Sequence, residues 1–102
     1  MIIDFHTHAF PDTLAVNAVP ALEKIGGVKA AGDGTIRSLI ESMDTAGIDK
    51  SVVCPVATKK EQVRGINDWI MSVGDDRIIP FGSLFPGMAD VDDEVRRLVD
   101  ND

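Results

Sequence analysis

Both histidines of the chain fall in one short segment, Asp4-Phe5-His6-Thr7-His8, directly after the apolar pair Ile2-Ile3. Side chains alternate along a strand, so Asp4, His6 and His8 are expected on one face, with Phe5 and Thr7 on the other. Two imidazoles about 7 Å apart at the Cα level can converge on a single ion where the strand ends. Neutral imidazole is the commonest protein ligand for zinc and also suits iron, nickel and copper. The chemistry offered is therefore metal chelation. Two ligands fall short of the three that a catalytic zinc typically takes from the protein, so further donors are expected from other residues or another chain. A plainer account of the same residues is a polar strand end making ordinary hydrogen bonds. The surroundings favour the metal: an apolar strand before the pair, Ala9-Phe10-Pro11-Asp12 after it, and then a glycine-punctuated loop.

Other reactive residues carry weaker signals. Cys54 is the sole cysteine; it sits in an apolar run and reads as a buried structural thiol, with no intrachain disulfide possible. Lys59 and Lys60 read as a solvated helix start, and Trp69, at helical spacing, as core packing. Thr58 and the loop after Phe85 stand at strand C-terminal ends, where a substrate could be faced, but carry no chemical signature of their own.

The elements that must position the histidines alternate along the chain. A first strand runs from Ile2 to about His8, a second over Ser51 to Val56, and a third over Ile78 to Phe85, the last weakened by Pro80 and Gly82. The second and third are almost continuously apolar, as expected of parallel strands buried on both faces. Ile36, Leu39, Ile40 and Met43 fall at i, i+3, i+4 and i+7 of a helix that Gly47 ends. Thr58-Lys59-Lys60-Glu61 has capping-box spacing and opens a helix carrying Val63, Ile66, Trp69, Ile70 and Val73. Asp90 is placed to cap a last helix that gathers Val91, Val95, Leu98 and Val99. Between Pro11 and Asp33 a short helix around Thr13 to Ile25 is expected, interrupted or restarted at Pro20, followed by a loop with Gly26, Gly27, Gly32 and Gly34. Successive βα units imply a parallel α/β sheet.

Composition bounds the reading. Hydrophobic residues make up 44% and charged residues 26%, a globular balance. Ten basic against seventeen acidic residues give a net charge of −7, which repels polyanions and argues against a nucleic-acid partner. No apolar run approaches the length of a membrane span, and no signal-peptide pattern opens the chain, so a cytoplasmic location is expected.

The run Met1-Ile2-Ile3-Asp4-Phe5-His6-Thr7-His8-Ala9-Phe10-Pro11 resembles the opening of the amidohydrolase superfamily. It is most similar to the amidohydrolase-related branch that includes aminocarboxymuconate-semialdehyde decarboxylase-like enzymes. The His-x-His-x-x-Pro form is its specific part, with weaker agreement through Ala46 to Val53, Ile66 to Trp69 and Phe81 to Ser83. The resemblance implies a fold, an incomplete (β/α)8 TIM barrel comprising the first three βα units with a loop and helix insertion after strand 1. Residues 1–102 would then be a single partial domain, and a closed barrel needs roughly 200 residues or more. It also implies a metal-dependent enzyme that hydrolyses C–N or C–O bonds or decarboxylates a small organic acid, with a divalent ion, usually Zn2+, held by His6 and His8. Asp4 carries over as a supporting carboxylate behind the ligands. Where many relatives place a histidine before proline at the end of strand three, this chain has Phe85-Pro86. The family's remaining ligands have no counterpart in the chain, so the 102 residues alone are expected to lack turnover.

Two other functions compete with that expectation. One is a phosphoesterase or nuclease of another His-x-His barrel family, disfavoured by the acidic balance. The other is a non-catalytic βα module that self-associates through open sheet edges.

Overall fold

The computed structural model describes residues 1–101. Strand β1 spans Ile3–Thr7, helix α1 Asp12–Gly26, helix α2 Ile36–Ala46 and strand β2 Lys50–Val53. A 3-10 turn over Lys60–Gln62 leads into helix α3, Val63–Ser72, followed by strand β3, Ile78–Pro80, and helix α4, Val91–Asp100. The strands form one parallel sheet in the order β1-β2-β3.

Central β2 is the most buried strand, with Ser51, Val52 and Val53 all shielded from solvent. Val53 joins Ala9, Met43, Ile70 and Ile78 in the core, with Ile36, Leu39, Ile40 and Trp69 packed against it. The apolar stripes expected for α2 and α3 thus point at the sheet, and Trp69 packs as a core side chain. Helix α2 has clear ends. Thr35 caps it by accepting a hydrogen bond from the Ser38 N–H at 3.1 Å, and Gly47 closes it with φ +70°. Asp33 braces the cap, accepting from both the backbone N–H and the hydroxyl of Thr35. Those two hydrogen bonds hold the Asp33 carboxyl below the usual aspartate range.

The expected segment of a (β/α)8 barrel is not what forms. The chain builds a small α/β domain: three parallel strands in an open sheet, with four α-helices among the described residues. Alternating βα units dictate parallel neighbours, a property that open sheets share. Closure needs a strand count and stagger that three strands do not supply. β1 and β3 are both edges, and Ile2 and Phe5 beside or on β1 are exposed.

Several elements differ from their expected bounds. β2 stops at Val53 and β3 at Pro80; Pro55 has no N–H with which to extend the β2 ladder, and Phe81 donates to the Val53 carbonyl at the end of β3. α1 continues through Pro20 without a break. It buries only Ala15, so the carbonyl that Pro20 leaves without a donor has water within reach. At the start of α3, both the N–H and the hydroxyl of Thr58 reach Gln62 Oε1, at 2.8 and 2.9 Å, and Glu61 takes no part. Asp90 stands at the N-terminus of α4 without a side-chain capping bond. The face that α4 buries is also not the expected valine stripe. Val95 and Val99 are 41% and 66% exposed, whereas Glu94 is only 4% exposed. No helix among the described residues is long and apolar enough to cross a membrane.

Candidate metal centre at the end of the first strand

His6 lies on β1 and His8 just past its end, and both side chains are exposed. Their Nε2 atoms approach to 3.1 Å, with ring centroids 4.9 Å apart and planes crossed at 74°. His8 Nδ1 lies 2.8 Å from the carbonyl oxygen of Cys54. A carbonyl can only accept, so Nδ1 carries the proton and Nε2 of His8 presents its lone pair. In the metal-free chain, His6 can donate to that lone pair from Nε2. Chelation requires the His6 proton to sit on Nδ1 instead.

The spacing suits a shared ion. With metal–nitrogen bonds of about 2.05 Å, two nitrogens 3.1 Å apart subtend about 98° at the ion, near the tetrahedral angle of about 109°. The His8 contact with a backbone carbonyl is also the usual way in which a ligating imidazole is oriented.

Asp4 serves the pair through the main chain. Its Oδ1 accepts from the backbone N–H of His6 at 3.1 Å. The simple alternation along β1 is broken here: Asp4 pairs with Ser51 and Thr7 with Val53, three steps of one strand against two of the other. A single face holding Asp4, His6 and His8 in regular succession is therefore not the arrangement found, although the two imidazoles do meet.

Beside His8 opens a cleft of about 700 Å³ between α1, α2 and the loop joining them. Phe10, Leu22, Val28 and Leu39 contribute apolar walls, with Glu23 and Ser42 among the polar lining. The sequence pointed to a loop insertion at this place but not to these side chains. Thr58 and the loop after Phe85 do not line this cleft. Cys54 is half-buried and contributes its carbonyl to His8. Among the described residues, no cluster of three or more His, Cys, Asp or Glu side chains is placed to hold a metal.

A second polar arrangement went unread in the sequence. Asn67, fully buried on α3, donates to Glu94 Oε1 at 2.8 Å and to the Ser83 carbonyl at 2.9 Å, and accepts from the Ser83 N–H at 2.7 Å. Arg97 grips both oxygens of Glu94, at 3.0 and 2.7 Å, and also bonds Asp68. The Arg97 hydrogen bonds hold the Glu94 carboxyl below its ordinary range against the opposing effect of burial, and Arg97 is shifted upward in turn. The available signal was Asn67 itself, a polar residue on the face that Val63, Ile66 and Ile70 bury.

Comparison with family models, with curated proteins and with solved structures finds no match to this chain.

Proposed function

We propose that His6 and His8 chelate a divalent metal, zinc foremost, and that the chain is part of a metal-dependent enzyme of the amidohydrolase kind, acting on a small molecule. The reaction classes are hydrolysis of a C–N or C–O bond and non-oxidative decarboxylation of a small organic acid. The observation that supports this best is the 3.1 Å approach of the two Nε2 atoms, with His8 Nδ1 tied to the Cys54 carbonyl. The Cys54 contact leaves Nε2 as the unprotonated nitrogen of His8, the atom available to an ion. The resemblance of the His-x-His-x-x-Pro run to the amidohydrolases supplies the reaction class.

A bound divalent ion supplies Lewis acidity and makes water a stronger acid. The chain's own residues do the rest of what can be assigned. His6 and His8 hold the ion, Asp4 steadies the main chain at His6, and the Cys54 carbonyl fixes the His8 tautomer. The cleft beside His8 offers apolar walls to the body of a substrate. Two imidazoles are fewer than the protein ligands usual at a catalytic zinc, so turnover belongs to an assembly that adds donors. The chain alone is expected to chelate without catalysing.

The test is a zinc titration against a chromophoric chelator, repeated with cobalt to read the ligand-field absorption of bound metal. One ion per chain, lost in both His6→Ala and His8→Ala, is the expected result. Binding that survives both substitutions, or no binding by the intact chain, would overturn the proposal.

A further inference from the structure

We propose that Thr7 is the positioning residue of the histidine pair, an inference that rests on the chelation reading above. On a regular strand, residues two apart sit about 6.6 Å from one another with their side chains parallel. Imidazoles at positions 6 and 8 then share one face and can converge where the strand ends. Here their Nε2 atoms come within 3.1 Å. The backbone feature that accompanies this convergence is the irregular register, in which Asp4 to Thr7 of β1 match only Ser51 to Val53 of β2.

Thr7 anchors that irregularity from both its main chain and its side chain. Alternate residues of β2 bond to opposite neighbours. Towards β3, the Ser51 N–H donates to Arg77 and the Val53 carbonyl accepts from Phe81. Towards β1, the N–H groups of Lys50 and Cys54 donate to Ile2 and Thr7. Val52 belongs by alternation to the β1-facing set, and its carbonyl accepts the Thr7 hydroxyl at 2.7 Å. A side-chain hydroxyl thus reaches a carbonyl on the β1-facing side of β2. The Thr7 carbonyl meanwhile accepts the Cys54 N–H at 2.8 Å. Cys54 is the same residue whose carbonyl holds His8 Nδ1. Thr7 is β-branched and stiff about χ1, so one rotamer can serve as a fixed strut. The strut joins β1 to β2 at the position between the two ligands.

Thr7→Val keeps the branched shape and removes the hydroxyl, whereas Thr7→Ser keeps the hydroxyl and removes the methyl. Two quantities are measured on the whole chain: the long-range proton–nitrogen NMR spectrum of the metal-free imidazoles, and zinc affinity by chelator competition. Thr7→Val is expected to move the ring-nitrogen shifts of both His6 and His8 and to weaken zinc roughly ten-fold or more. Thr7→Ser is expected to restore both. Unchanged ring spectra and affinity in Thr7→Val overturn the proposal, and so does an equal loss in both variants. Should Thr7→Val fail to fold, the decision passes to the wild-type hydroxyl proton. Slow exchange of that proton supports the anchor at Val52, and free exchange overturns it. If the wild-type chain binds no zinc, the chelation reading falls, and the ring spectra of the variants still decide the role of Thr7.

Discussion

At the scale of single residues, Gly34 shows how the chain around the cleft is constrained. Its φ of +84° lies in the left-handed region, and an added Cβ would stand 2.5 Å from Val19 Cγ2 and 3.3 Å from Phe10 Cδ2. Its carbonyl also receives the Phe10 N–H at 2.8 Å, tying the inter-helix loop to the segment after His8. Gly47 provides the contrast: its φ is +70°, but a Cβ there would meet nothing within 4 Å. Gly47→Ala should cost only the conformational penalty, about 1 kcal/mol. Gly34→Ala adds a steric clash and should cost about 2 kcal/mol or more. Urea unfolding of the two variants side by side checks the order, and equal losses would show that the close approach to Val19 is easily relieved. The sequence marked Gly34 only as loop punctuation. The neighbour that makes it indispensable comes from α1, fifteen positions away, and a contact at that separation leaves no local trace.

At the scale of elements, Asn67 links three pieces of structure that packing alone would leave loosely joined. It reaches the segment after β3 through the backbone of Ser83, and α4 through Glu94. The helical periods of α3 and α4 were legible in the sequence, but which face of α4 turned inward was not. The valine stripe at Val91, Val95 and Val99 had the better apolar pattern. The buried hydrogen-bonding needs of Asn67 and Glu94 prevailed, because each satisfies the other. Leu98, the apolar residue of α4 that does pack closely, sits over Gly82, where a Cβ would come within 2.5 Å of Leu98 Cδ1. Asn67→Ala strips partners from Glu94 and from the Ser83 backbone together, and should cost roughly 2–3 kcal/mol. Ser83→Ala should be nearly silent, since both bonds run through the main chain of Ser83. Denaturant midpoints of the two variants test this, and a large loss in Ser83→Ala would shift the importance to the hydroxyl.

At the scale of the whole molecule, the Glu94–Arg97 pair sets an acid limit on stability. The folded Glu94 carboxyl titrates below its ordinary value, so the folded state holds fewer protons than the unfolded chain as acid is added. Its contribution is therefore fully present above the ordinary glutamate value of about 4.3 and is lost as pH falls through the lowered folded value. Midpoints measured between about pH 7 and about pH 3 should fall, and Glu94→Gln should be less stable at neutral pH with a shallower acid decline. An unchanged slope in Glu94→Gln would place the acid sensitivity in other carboxylates, Asp33 among them. By itself, the sequence determined the α/β alternation, the parallel strands, the apolar faces of α2 and α3, and the segment holding both histidines. Those properties follow from periodicity, β-branched runs and caps, which act over a few residues. Only the tertiary structure decided that the sheet is open, that β1 slips its register between Asp4 and Thr7, that the two Nε2 atoms meet, and that α4 buries a carboxylate. Each of these depends on which distant group satisfies a hydrogen bond or fills a space. A single stretch of sequence does not specify such partners.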